Sequence, residues 1–231
     1  MERIPEPELM ETKKQVLSYV KGDFSKGEKI FIDFINTYLI SNKINLSDDD
    51  LIVDLGCGPG NITERISLQW PAVPIIGIDG SKEMIIEAKS RQNLYKNKHI
   101  FKNINYICAD IKELELKKIS PKKRISLLVS NSLIHHITNI DQFFDSINNL
   151  STKETINFHK DLLRPKDEKT AIKLKEKCNE IYSNTLTNDY YASLKASYRK
   201  NELQKIIFKR MLYSLNVIEE GNEYLILYGK V

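Results

Sequence analysis

One stretch constrains this chain more than any other: Val53-Asp54-Leu55-Gly56-Cys57-Gly58-Pro59-Gly60-Asn61. An apolar run carrying one acid enters three alternating glycines, and a helical pattern follows. Glycine at such positions allows a positive φ and close backbone approach to a bound group, both of which a β-carbon blocks. The spacing is G-x-G-x-G, not the G-x-G-x-x-G of dinucleotide folds. By itself the turn therefore indicates no more than a nucleotide-like ligand.

Elsewhere short apolar runs alternate with helical stripes, the pattern of a mostly parallel sheet with helices on both faces. Strands are predicted at Leu51–Leu55, Ile75–Asp79, Ile104–Asp110, Ile125–Asn131 and Thr155–Asp161. Ile30, Phe31, Phe34, Ile35, Tyr38 and Leu39 recur at helical spacing ahead of the sheet. Ser81 is placed to cap the helix after the second strand, and Asp141 to start one carrying Phe143, Phe144 and Ile147. A charged helix is expected from about Lys166 to Ile181, and another from about Glu202 to Met211. Two final runs, Leu215–Ile218 and Tyr224–Tyr228, flank Glu219-Glu220-Gly221-Asn222, a hairpin signal. The expected class is α/β: a Rossmann-like, doubly wound, mostly parallel seven-stranded sheet ending in an antiparallel hairpin, with helices on both faces. Residues 1–45 read as a helical lid, 46–161 as the binding core, 162–200 as a helical insertion over the active edge, and 201–231 as the closing helix and hairpin.

Composition narrows the class. With 231 residues, 41% of them hydrophobic, the chain can bury a proper core. It has no run of about 20 apolar residues, so no membrane span is expected. The acidic start at Met1-Glu2-Arg3-Ile4 lacks an apolar secretory segment, which gives a cytoplasmic expectation. Three cysteines without a CxxC pair make neither a disulfide framework nor structural zinc. The net charge of +4 comes from interleaved acids and bases rather than a basic stripe, so nucleic acid is not an expected partner.

The glycine turn has company. Asp79 ends the second strand, where an acid can accept both hydroxyls of a ribose, and Asp110 follows the third. Acids after three successive strands are poor core residues, because an unpaired buried acid is costly. Here the sequence resembles the class I S-adenosylmethionine-dependent methyltransferase family, in its small-molecule branch. Asp54 to Gly60 is similar to that family's first motif, and Ser130-Asn131-Ser132-Leu133-Ile134-His135-His136 to its fourth. The resemblance covers roughly residues 50 to 161 and fits the terminal hairpin. Arg3 to Met10, and Asp161-Leu162-Leu163-Arg164-Pro165, resemble segments of a bacterial group of such enzymes. The family's glycine pair before the fifth strand is replaced by Asn149-Leu150-Ser151-Thr152-Lys153-Glu154, so the turn there must differ.

The resemblance implies S-adenosylmethionine as cofactor. Gly56, Cys57, Gly58 and Gly60 would let the backbone approach its methionine portion, with Asp54 orienting its amine. Asp79 with Gly80 would hold the ribose, Met84 would pack on adenine, Asp110 and Ile111 would fix the adenine edge, and Asn131 would face the methyl group. Transfer is an in-line displacement that needs alignment more than a dedicated base. His135 and His136 are nevertheless candidates to take a proton, His136 foremost, with Asp161 beside them. Tyr19, His136, Arg164 and Tyr191 are the candidate contacts to a small-molecule acceptor, and Tyr19, Asp23 and Phe24 could form a lid. No metal is expected, since the tandem histidines lack i,i+4 spacing. An RNA or protein methyltransferase, or a cofactor-binding protein without transfer, are the alternatives. The missing N-P-P-Y motif after Asn131 weighs against the first, and the full set of acids against the second. Oligomeric state is left open.

Overall fold

The computed structural model describes residues 1–6, 10, 12–94, 96–115, 119 and 123–231. Pro7, Glu8 and Leu9 of the leading motif lie outside them. The strands are β1 (Ile52–Leu55), β2 (Ile75–Asp79), β3 (Ile104–Cys108), β4 (Leu127–Asn131), β5 (Ile156–Leu162), β6 (Leu215–Glu220) and β7 (Tyr224–Gly229). They form one seven-stranded sheet in the order β3-β2-β1-β4-β5-β7-β6. The first five are parallel, while β7 runs antiparallel to both β5 and β6. The strand order reverses between β1 and β4, the place where open α/β sheets bind ligands.

Alternation along each strand builds two cores. Val53, Leu55 and Leu128 face one side, where they meet α5 (Ile140–Leu150) and α8 (Lys200–Lys209). Ile52, Leu127 and Val129 face the other, against α2 (Ser25–Ser41), α3 (Asn61–Gln69) and α4 (Lys82–Asn93). Period-two exposure is what pleated backbone imposes, so one short strand feeds both layers. Phe143, Phe144 and Ile147 of α5 are fully buried, each contributing roughly 1.5–3 kcal/mol. Ser81 does cap α4, its Oγ accepting from Met84 N at 3.4 Å.

Three details depart from the expected outline. A further helix, α1 (Lys13–Val20), precedes α2. The tyrosine-rich stretch lies within α7 (Asn184–Ala196), which packs on α6 (Glu168–Asn179). Thr155 is not in β5; its Oγ1 donates to Ile125 O at 2.7 Å and accepts from Thr152 N at 2.8 Å. The Thr155 hydroxyl thus closes the turn ahead of β5, which carries no glycine pair. Among the described residues, no helix is long and apolar enough to cross a membrane.

Candidate functional site

The C-terminal ends of β1, β2, β4 and β5 open into a cavity of about 1150 Å³, covered from the other side by α1, the start of α2, α6 and α7. Every residue carried over to the cofactor lines it except Gly60. Gly56, Gly58 and Gly60 have φ of +64°, +53° and +92°, so all three glycines of the turn are left-handed. Gly60 is the N-cap of α3, and a β-carbon there would lie 2.3 Å from Tyr106 Oη. Its part is to pack the turn, whereas a β-carbon at Gly58 would meet nothing within 4 Å and would enter open space.

The acids behave differently from one another. Asp79 accepts from Gly58 N at 2.8 Å through Oδ2 and from Ser81 N at 2.7 Å through Oδ1. Burial still pushes its carboxyl above the ordinary range. Each oxygen retains a second lone pair for an incoming hydroxyl. Asp54 is 1% exposed; its Oδ2 accepts from Thr63 Oγ1 at 2.6 Å, and its Oδ1 is buried with no partner among the described residues. Burial pushes Asp54 up to about 7. An orphaned carboxylate oxygen on the cavity wall suits a cationic amine. Asp110 is exposed and accepts from Lys112 N at 2.9 Å. Met84, Ile111 and Gly80 complete the wall on that side.

After β4 the chain passes through Ser132 at φ +57°, a conformation that L-residues adopt at some cost. That turn presents the short helix of Ile134–His136 to the cavity. His135 is 2% exposed; its Nδ1 is hydrogen-bonded to Asp161 Oδ1, and its backbone N donates to Asp161 Oδ2 at 3.1 Å. Burial opposes a charge on His135, but Asp161 and Glu6 outweigh it and raise the imidazole. Burial likewise opposes charge on Asp161, and His135 with two backbone N–H groups overrides it, holding that carboxyl low. Asp161 does not itself line the cavity; it orients His135. His136 is less buried than His135, and its Nδ1 lies 3.2 Å from Glu6 Oε1.

Glu6 is one residue that sequence reasoning missed. Its Oε1 also lies 3.5 Å from His135 Nε2 and accepts from Ser193 Oγ at 2.9 Å. Arg3 anchors the same arm, donating through Nε to Ala196 O at 2.6 Å. The only available signal was the arm's resemblance to related sequences. The expectation of no metal rested on local spacing, which takes no account of Glu6. Glu6, His135 and His136 bring donor atoms within 4.8 Å of one another, close enough to share an ion.

The acceptor-side residues divide. Tyr19 lines the cavity and stacks on Phe24 at 4.8 Å, which in turn stacks on Tyr182 at 5.9 Å. Burial keeps the Tyr19 phenol protonated well past its usual range. Arg164 and Tyr191 do not line the cavity, which corrects both expectations. Arg164 is buried behind β5, bonded to Ser197 O at 3.0 Å and to Glu202 Oε1. Tyr191 faces outward to Glu168, while its neighbour Tyr190 lines the cavity. On a helix adjacent residues point about 100° apart, so the tyrosine pair could not serve the cavity together. Lys160, unremarked in the sequence, is buried at the cavity floor.

The model of a methyltransferase-domain family matches residues 46–211, and the chain belongs to that family. Trans-aconitate 2-methyltransferase of Escherichia coli O157:H7 (strain EC4115 / EHEC) is 30% identical over 102 residues, 44% of this chain and 35% of that protein. Malonyl-(acyl-carrier protein) O-methyltransferase of Bacillus anthracis is 33% identical over 91 residues, 39% of this chain and 29% of that protein. The matches thus span about a third of the length of these curated relatives. Among solved structures, the plantazolicin methyltransferase BpumL, in complex with a pentazolic desmethylPZN analog and SAH, has a TM-score of 0.70 at 18% identity. That likeness covers 95% of this chain and 91% of the other, and it concerns the fold.

Proposed function

We propose that this protein is an S-adenosylmethionine-dependent methyltransferase acting on a small-molecule acceptor by in-line displacement. The observation that carries the reading is the pairing of Gly58 N with Asp79 Oδ2 at 2.8 Å beside the orphaned Oδ1 of Asp54. One cavity wall thereby offers a backbone cradle, a hydroxyl acceptor and a site for an amine. Bound there, S-adenosylmethionine supplies a methyl group on a sulfonium, already activated for attack.

The chain's own residues align, enclose and adjust charge. Asp79 holds hydroxyls, Asp54 the amine, Met84 and Ile111 the flat apolar ring, and Asn131 stands at the β4 end between donor and acceptor. Tyr19, Phe24 and Tyr182 cover the opening and exclude water. His136 is the polar side chain beside Glu6 that accepts a proton from, or donates a hydrogen bond to, the acceptor. His135 and Asp161 act on it by fixing the Ile134–His136 turn. We read Glu6 with the two histidines as a proton-sharing cluster, since Ser193 already occupies one of its lone pairs. Positioning alone can supply several orders of magnitude in rate.

The test is incubation with deuteromethyl-labelled S-adenosylmethionine and fractionated bacterial lysate, followed by mass spectrometry. Label in the low-mass fraction is expected. Label confined to RNA or protein would refute the small-molecule assignment.

A further inference from the structure

Lys160 is the one lysine in the buried set of the described residues, 3% exposed, on the strand that floors the cavity. Its Nζ donates to Asn131 Oδ1 at 3.3 Å and sits 3.7 Å over the Tyr224 ring. Helix α2 gives it room at Gly27, where a β-carbon would stand 3.5 Å from Nζ. No carboxylate among the described residues pairs with it. Asp161, its neighbour in sequence, points to the opposite face and His135. Glu28 is engaged by Arg65 at 2.8 Å and by Asn61 at 2.8 Å. Glu220 stands at the hairpin end, and Lys26, Lys112 and Lys177 are exposed at the mouth.

An ammonium buried without a counter-ion costs several kcal/mol. Burial accordingly lowers Lys160 to about 8, which still leaves it mostly charged at neutral pH. Three donors with one weak hydrogen bond leave capacity for an oxyanion. Its position is equally specific: Lys160 is in register with Asn131 on the adjacent strand, so it stands where donor and acceptor meet.

Building on the proposed methyl transfer, we infer that the acceptor is a carboxylate and that Lys160 holds it for attack. One carboxylate oxygen forms a bond to the methyl carbon as the sulfur–carbon bond breaks, and that bonding pair stays on sulfur. Anion and sulfonium are both neutralised, giving a methyl ester and a thioether, and no proton moves. A carboxylate needs no base, which leaves His136 a hydrogen-bond donor. Loss of the ion pair on esterification favours release of the product.

Two measurements test this. Aromatic and aliphatic carboxylic acids, each paired with its own primary amide, are screened by thermal shift on wild type and Lys160→Met, without cofactor. Acids but not amides should stabilise wild type, and Lys160→Met should weaken them about 100-fold, with Lys160→Arg recovering part, as for a lost charged hydrogen bond. Equal binding of acids by Lys160→Met, or no preference for acids, would overturn the inference. Labelled low-mass product is then treated with mild alkali. Release of the label as methanol is expected of an ester. Alkali-stable label would overturn the carboxylate assignment alone, whereas no label in any fraction would overturn the transfer reading together with it.

Discussion

Glu6 Oε1 lies 3.2 Å from His136 Nδ1, so an arm at one end of the sequence completes a site built at the end of β4. Glu6→Gln keeps the shape and removes the charge. It should lower kcat about tenfold while leaving S-adenosylhomocysteine affinity within about twofold, the mark of a positioning residue. Titration calorimetry and steady-state rates separate the two. The same preparation treated with a chelator should keep its rate. A loss restored by a divalent ion would convert this cluster into a metal centre.

Asp54 makes binding depend on pH. Its folded value is raised to about 7 against 3.8 unperturbed, mainly by burial. The protonated form is therefore favoured by folding, and stability falls as pH rises from 3.8 through about 7. A cationic amine beside Asp54 reverses this, so S-adenosylhomocysteine should bind more tightly at pH 8 than at pH 6, releasing a proton near pH 6. Calorimetry in buffers of different ionisation enthalpy measures that release. Asp54→Asn should raise stability at pH 8 by roughly 2–4 kcal/mol, more than at pH 5, while weakening ligand binding.

Neighbouring glycines of one turn should fail in different ways. At Gly60 an added methyl group meets Tyr106 Oη at 2.3 Å and Cζ at 3.0 Å, so Gly60→Ala should cost about 2–3 kcal/mol in urea unfolding. At Gly58 it meets no atom, so Gly58→Ala should cost about 1 kcal/mol for the left-handed backbone yet abolish ligand binding. Equal losses of stability at the two positions would contradict the division of roles.

Arg164 distinguishes a structural arginine from a binding one. Buried with Glu202 and Ser197 O, it ties β5 to α8. Arg164→Met should destabilise by roughly 1.5–3 kcal/mol without changing the KM of either substrate in the folded fraction.

The sheet was legible because its signal is local. Five apolar runs, a glycine turn and a hairpin signal define strands within a residue or two, and acids after strands mark the ligand edge. What stayed hidden depended on contacts between distant segments. Glu6 reaches His136 only after the arm docks on α7 through Arg3 and Ser193. Lys160 reads as one more lysine in a lysine-rich chain, and only β-strand alternation against Asp161 turns it into the cavity. Arg164 was drawn to the active edge by its nearness to Asp161 in sequence, yet β5 ends there and the side chain passes behind the sheet to Glu202. Of two adjacent tyrosines, helical rotation chose Tyr190.

Calorimetric titration of S-adenosylhomocysteine into wild type and Asp79→Ala goes to the heart of the assignment. Asp79 orders Gly58 and Ser81 through its two oxygens and leaves lone pairs toward the cavity. One site per chain should be seen in wild type, with binding at least about 100-fold weaker in the variant, as loss of a charged acceptor predicts. Circular dichroism should show the fold retained. Equal affinity in the two proteins, or no binding by wild type, would contradict the assignment of this cavity to the methyl donor.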